Sequence, residues 1–342
     1  MNTPLPPLIQ QHAVNAQKRV SAFDPQGDSF RVFFLTDVHS SGNDNVRQYD
    51  FLREIAPAFH PNLFINGGDI GLDTGESKEE MEALLGAHQA KMASFDAPFV
   101  LLKGNHDYGS QSLPNDVLNH RFNDRFVQLA GDKVDWVFRP NGGQYGVYHD
   151  PSTNVYLFLL NTTDGDRRNY YVSWEQIRYL GEKLSALPQG ARVLFVAHRD
   201  IDASGYWNCD VGQWEAPCYH FDSLKRLLGA FVSRRKFEEE GEYFDFSALP
   251  SDIACYGWLA GDSHFFQDQT SNGIRYIARE GYGGVDAADL PKGAHKTPYD
   301  FQSPHAEEEL ECDFDLLVFK KDGSAKLFHF GPDEEKGDLL LA

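Results

Sequence analysis

Five places in the 342-residue chain gather side chains that bind cations or move protons: Asp37-Val38-His39, Gly67-Gly68-Asp69, Gly104-Asn105-His106-Asp107, His198, and Gly261-Asp262-Ser263-His264. Carboxylate oxygens mixed with imidazole nitrogens suit Mn, Fe, Zn or Co. Asp37 and His39 stand two apart, so on an extended segment they point the same way and can share one cation. Asp69, on a turn flanked by glycine, can approach closely enough to touch two. A pair of cations ~3.5–4 Å apart activates water and clamps the oxygens of an in-line displacement at phosphorus. No single motif carries this reading. An Asp-x-His arises about once by chance in a chain of this length, and the Gly, Asn and Asp of the other motifs favour ordinary turns. The weight lies in all five occurring together, in equivalent places.

Those places are the ends of short apolar runs. Arg31–Thr36 precedes Asp37, Asn62–Asn66 precedes the Gly-Gly-Asp turn, and Phe99–Leu102 precedes Gly104. Arg192–Ala197 leads to His198, and Tyr256–Ala260 leads to Gly261. Val155–Leu160 and Gly273–Ala278 are similar runs. Runs of this length fit buried strands, and in open α/β sheets ligands bind outside the carboxyl ends of strands. Helices are predicted at Ser77–Ser94, at Phe221–Arg235, and from Ser173 to about Leu187, where Ser173-Trp174-Glu175-Gln176 resembles a capping box and Pro188 ends the helix. Asp322-Gly323 between Asp315–Lys320 and Ser324–Phe330 signals a hairpin. The alternation predicts an α/β sandwich with mixed sheets.

In its motifs the chain resembles the calcineurin-like metallophosphoesterase superfamily, whose pattern is D-x-H, G-D, G-N-H-D/E, a lone H, and G-H-x-H. Asp37-x-His39, Gly68-Asp69, Gly104-Asn105-His106-Asp107, His198 and Gly261-Asp262-Ser263-His264 follow it in order. The Asn161-Thr162 strand end and the Ser173-Trp174-Glu175-Gln176 helix start look like family features too. The resemblance implies a four-layer sandwich, two mixed β-sheets flanked by helices, and a pair of divalent cations. Asp37, His39, Asp69 and His264 would hold one; Asp69, Asn105 and His198 the other, with Asp69 bridging. A hydroxide between the cations would attack phosphorus. His106 would stabilise charge on the phosphate or protonate the leaving oxygen, with Asp107 orienting it. Asn105 and, after His198, Arg199 would contact substrate, although an ion pair on the surface is the plainer expectation for Arg199.

One position departs from the pattern. Asp262 stands where the family has the imidazole that binds the second cation. Two divalent cations facing Asp37, Asp69 and Asp262 keep one positive charge fewer than they would with histidine there, which favours Mn²⁺ or Mg²⁺ over Zn²⁺ at the second site. The same lowered charge disfavours a dianionic substrate and points to a phosphodiesterase, with a phosphomonoesterase as the alternative. A binding protein that keeps the fold without catalysis is the reading from another class, and Asp262 is the feature that supports it.

Composition bounds the partners. With 51 acidic against 31 basic residues the formal charge is -20, which argues against a duplex nucleic acid footprint and an anionic membrane surface and leaves a small phosphoester as the expected substrate. Apolar residues make up 41%, enough for a large core. The expected organisation is an N-terminal arm or short docking helix over 1–28, one domain over 29–332 with insertions at 108–150 and 199–255, and a tail at 333–342. Cys209, Cys218, Cys255 and Cys312 lack C-x-x-C spacing and read as reduced thiols, with a bridge between the nearby Cys209 and Cys218 as the alternative. Met1–Val20 has no apolar h-region, and the expected location is cytoplasmic. The remaining histidines, His88 and His329 among them, follow no ligand spacing. Trp207–Trp214 reads as packing, with a pocket lining as the alternative, and Gly281-Tyr282-Gly283-Gly284 as a rim without phosphate-loop character.

Overall fold

Alternate residues of the buried strands face two different apolar layers, and this sorts the chain into four. The computed structural model describes residues 5–39, 47–71, 77–107, 129–138, 144–163, 170–201, 218–263, 266–279, 313–331 and 337–341. In chain order the elements are α1 Pro7–Phe23, β1 Phe30–Leu35, α2 Arg47–Ile55, β2 Leu63–Asn66, α3 Lys78–Met92, β3 Phe99–Leu101, β4 Val134–Phe138, β5 Gln144–Asp150 and β6 Val155–Leu160. Then come β7 Tyr170–Tyr171, α4 Trp174–Ser185, β8 Arg192–Ala197, β9 Cys218–Tyr219, α5 Phe221–Val232, β10 Lys236–Glu239, β11 Glu242–Asp245 and β12 Ala254–Ala260. The last are β13 Gln267–Ser271, β14 Ile274–Ala278, β15 Phe314–Phe319, β16 Ala325–Phe330 and β17 Leu339–Leu340.

One sheet has six strands in the order β17-β16-β15-β1-β2-β3, the other seven in the order β13-β14-β12-β8-β6-β5-β4. Each is mixed: β1, β2 and β3 run parallel, as do β6, β8, β12 and β14, with antiparallel strands at the flanks. On β1, Phe33 and Leu35 pack with Ile9, Leu52 and Leu85 of the helices. Val32 and Phe34 face the other sheet, where they meet Leu157, Leu159 and Val196. The far face of the seven-stranded sheet buries Phe158, Phe195 and Trp258 under Leu180 and Leu184 of α4 and Leu224 and Leu228 of α5. Each large side chain so buried contributes roughly 1.5–3 kcal/mol.

Several connections differ from expectation. Val134–Phe138 and Gln144–Asp150, within the expected insertion, are strands: β4 and β5 extend the seven-stranded sheet. Helix α1 packs on β16, and its Arg19 Nη2 donates to the carbonyl of His329 at 2.6 Å. In the expected tail, β17 pairs with β16. The stretch 199–255 holds α5 and the β10–β11 hairpin. The capping box forms at Ser77–Glu80 on α3. At α4 only half of it does: Ser173 Oγ accepts from the Gln176 N–H, while the Gln176 side chain donates to the Asn161 carbonyl at 2.8 Å and accepts its N–H at 2.9 Å. Gln176 thereby ties the helix start to the end of β6. Cys218 is disulfide-bonded and Cys255 is free, so the expectation of four reduced thiols is corrected; the partner lies outside the described residues. Trp207–Trp214 and Gly281–Gly284 lie outside them too. No described helix is long and apolar enough to cross a membrane.

His88 of α3 is 0% exposed, and burial pushes its imidazole down to about 4. The unfolded chain takes up a proton near pH 6.5, the folded one only near 4, so stability is lost as the pH falls between them, by about 3 kcal/mol. Urea midpoints at pH 7 and pH 4.5 are expected to differ less in His88→Gln than in the wild type. Equal differences would remove His88 as a source of acid sensitivity.

Candidate metal centre

The loops that leave β1, β2, β3, β8 and β12 at their carboxyl ends meet at one edge of the sandwich. Asp37, His39, Asp69 and Asp262 have φ of 53°, 42°, 56° and 62°. The left-handed region is uncommon for residues with a Cβ, and such strain clusters at functional sites. Hydrogen bonds across the loops hold it. Asp37 N–H donates to the Gly68 carbonyl at 2.9 Å and His39 N–H to that of Asp69 at 3.0 Å. Asp262 N–H donates to Asp37 Oδ2 at 2.9 Å, and the Thr36 hydroxyl donates to the same oxygen at 2.6 Å. Glycine is required at two places by this crowding: a Cβ on Gly104 would enter the Asp69 carboxylate, and one on Gly261 would meet Thr36 Oγ1 and the Asp37 carboxylate. Asn66 supports the second loop from behind, accepting from Gly68 N–H at 2.8 Å and donating to the Tyr49 hydroxyl at 2.8 Å.

The donor atoms converge. Asp69 Oδ2 lies 3.6 Å from His39 Nε2 and 3.4 Å from His198 Nε2, so one carboxylate oxygen faces two imidazoles. Asp37 Oδ1 is 3.7 Å from His39 Nε2. Around His198 Nε2 stand Asn105 Oδ1 at 2.8 Å, Asp262 Oδ1 at 3.3 Å and Asp69 Oδ2 at 3.4 Å. His198 Nδ1 lies 3.0 Å from the Gly67 carbonyl oxygen. That partner assigns the hydrogen to Nδ1. In that tautomer the Nε2 lone pair faces three oxygens, an arrangement that a shared cation relieves and that a proton on Nε2 relieves in its place. Donors about 2.1 Å from a shared cation stand roughly 3–3.4 Å apart, and metal-bound histidines characteristically give their second N–H to a carbonyl. The donor set therefore fits divalent cations, and Asp37, Asp69 and His198 offer ligand atoms all within 4.8 Å of one another.

Electrostatics follow the same geometry. Burial alone would raise the Asp69 carboxyl, but the imidazoles of His198, His106 and His39 hold it below the usual carboxylate range. Burial would lower His198 and His39; the carboxylates of Asp69 and Asp262 raise the first, those of Asp37 and Asp69 the second.

Asp107 has another task than the one its neighbour in sequence suggests. Its Oδ2 accepts the N–H groups of Asp69 at 2.9 Å and Gly104 at 2.8 Å, and its Oδ1 that of Ile70 at 2.8 Å. It clasps the loop after β2 to the loop after β3 and does not orient the His106 ring. Burial and the charge of Asp69 push its carboxyl up to about 6, against the pull of these donors. The His106 ring is half-buried and stands 5.1 Å from that of His39, while its backbone N–H donates to Asp69 Oδ1 at 2.7 Å.

Arg199 is not in a surface ion pair. It is 3% exposed, and its Nη1 donates to Asp262 Oδ2. The Tyr170 hydroxyl donates to Asp262 Oδ1 at 2.9 Å. The guanidinium restores the positive charge that Asp262 removes, so the charge count made without it does not describe this site. Tyr170, Thr36, Asn66 and Tyr49 escaped the sequence reading; only Asn66, a polar residue ending an apolar run, carried a signal. His264 lies outside the described residues.

A family profile described as calcineurin-like phosphoesterase matches residues 30–215. Among curated proteins no sequence matches the chain. Among solved structures, a dimetal phosphatase from Danio rerio aligns over 92% of this chain and 98% of its own, with a TM-score of 0.56 and 14% identity. GAP50, described as the anchor in the inner membrane complex of Plasmodium, aligns over 88% of this chain and 84% of its own, with a TM-score of 0.48 and 10% identity. The first likeness is one of fold, and it agrees with the two mixed sheets and flanking helices. Profile, fold and motif order coincide, and the chain belongs to the calcineurin-like phosphoesterase family.

Proposed function

We propose that the protein hydrolyses a phosphoester with two divalent cations. The observation that carries the reading is the single Asp69 oxygen set 3.6 Å from His39 Nε2 and 3.4 Å from His198 Nε2. Asp37, His39 and Asp69, with His264 by resemblance, would hold one cation; Asp69, Asn105, His198 and Asp262 the other. Such ions, when bound, supply Lewis acidity and a water activated at neutral pH. The chain's own residues do the rest. Asp69 and Asp37 fix the anionic floor of the site. His198 keeps its tautomer through the Gly67 carbonyl, so that its lone pair points inward. His106, whose ring lies beside that of His39, would donate a proton to a phosphoryl oxygen or to the leaving oxygen.

Metal identity and ester class belong to the same proposal. The oxygen-rich donor set suits Mn²⁺, with Fe, Zn, Co or Mg as alternatives. Arg199 cancels the charge of Asp262, so the charge argument for a diester over a monoester falls away, and the proposal stands at the phosphoester bond of a small substrate. His106→Ala is expected to keep its metal and lose 10²–10⁴-fold in turnover. Metal content, with hydrolysis of an aryl phosphodiester and its monoester with and without Mn²⁺, tests this, and the ratio of the two esters fixes the class. A wild-type protein holding two cations yet turning over neither ester would leave a binding role instead.

A further inference from the structure

Asp262 has both carboxylate oxygens engaged by side chains. Oδ2 takes the Arg199 guanidinium. Oδ1 takes the Tyr170 hydroxyl at 2.9 Å and also faces His198 Nε2 at 3.3 Å. Arg199 is held in turn. Its guanidinium lies over the Tyr170 ring, 4.5 Å from the centroid. Its backbone N–H donates to Thr162 Oγ1 at 3.0 Å, and its carbonyl accepts from Trp258 Nε1 at 3.1 Å. The unit is assembled from β7, the end of β8 and the end of β12, and both charged members are buried. A guanidinium N–H on one oxygen and a phenolic O–H on the other fix a carboxylate in rotation as well as in place.

We propose that Arg199 and Tyr170 are positioning residues that turn Asp262 into a charge-neutral, single-oxygen donor to the second cation, so that the three side chains together replace one imidazole. Arg199 takes Oδ2, not the oxygen that faces His198, and cancels its charge. Tyr170 occupies one lone pair of the other oxygen and leaves the remaining one for the cation. The unit offers one lone pair and no net charge, as a neutral histidine does. The inference rests on the two-cation reading above. Its consequence is that Asp262 and Arg199 cannot be exchanged separately. Histidine at 262 beside Arg199 sets an imidazole against an unpaired buried cation, and loss of Arg199 alone leaves an unpaired, unfixed carboxylate.

The test is Mn²⁺ binding by equilibrium dialysis, with a thermal melt of each variant. A wild-type protein binding fewer than two Mn²⁺ would refute the two-cation reading itself, and this inference with it. With two bound, Arg199→Met and Asp262→His are each expected to weaken the second Mn²⁺ 10–100-fold while the first stays within about twofold. Tyr170→Phe is expected to weaken it roughly 3–10-fold. The double variant Arg199→Met/Asp262→His is expected to recover the second site to within about fivefold of wild type, a rescue that a merely structural pair would not give. Single variants that keep the second site within twofold, or a double variant no better than the singles, would overturn the proposal. If the charge-removing variants do not fold, Tyr170→Phe decides alone, since it removes one hydroxyl.

Discussion

Asp69→Asn is expected to reduce turnover on the order of 10³-fold or more and to leave less than one cation per chain. The argument is local. Asp69 Oδ2 faces His39 Nε2 and His198 Nε2 together, and Oδ1 holds the His106 N–H. Asparagine keeps the shape and can still offer one oxygen. It removes the negative charge that the three imidazoles share, and in one of its two orientations it turns an N–H₂ group toward the cations. Because the Asp69 backbone is held by Asp107, the loop itself is expected to stay in place, so the loss is chemical and not a matter of folding. Metal content by elemental analysis and single-turnover rates check it. A variant retaining two cations would remove Asp69 as the bridge.

Asp107→Ala is expected to cost about 3–5 kcal/mol of stability. Three buried N–H groups, those of Asp69, Ile70 and Gly104, lose their acceptor. Each such group left without a partner costs about 1–3 kcal/mol, and some relief comes from water entering the loosened loops. Both cations should weaken, since the clasped loops carry Asp69 and Asn105. His106→Ala should leave the urea midpoint near that of the wild type. The contrast is diagnostic. If Asp107 served only to orient His106, the two variants would share a stability and differ only in rate.

The difference between these two neighbours marks where sequence reading stops. Nine apolar runs from Arg31 to Phe330 are legible as strands because each is a near-continuous apolar stretch, and they match nine of the strands described there to within two residues at either end. The donors at their ends were legible because donor types and order are visible along a line. Asp107 is legible as a carboxylate but its partners are not, because adjacency to His106 says nothing about which way a side chain turns; they lie 37 and 38 positions away as well as 3. Arg199 was legible as a charge but not as buried, since Asp262 is 63 positions off. Tyr170, 92 positions from Asp262, carried no signal at all. β13, Gln267–Ser271, is polar at nearly every position and lies on the edge of its sheet; no apolar period announces it. β7 and β9 have two residues each and pair with one another, too short for any pattern.

The hydrogen bond from Asp262 N–H to Asp37 Oδ2 joins residues 225 positions apart. Such a link has a consequence in time as well as in space. Loops that long close late, and sheets built from parallel strands far apart in sequence fold slowly. During synthesis the first three motifs emerge well before β12 exists, with Asp37, Asp69 and Asn105 already present but the seven-stranded sheet unfinished. A nascent chain stopped short of Gly261 holds five of the expected donors and still lacks Asp262 and His264. The centre therefore cannot close until the end of β12 has reached the loop that follows β1.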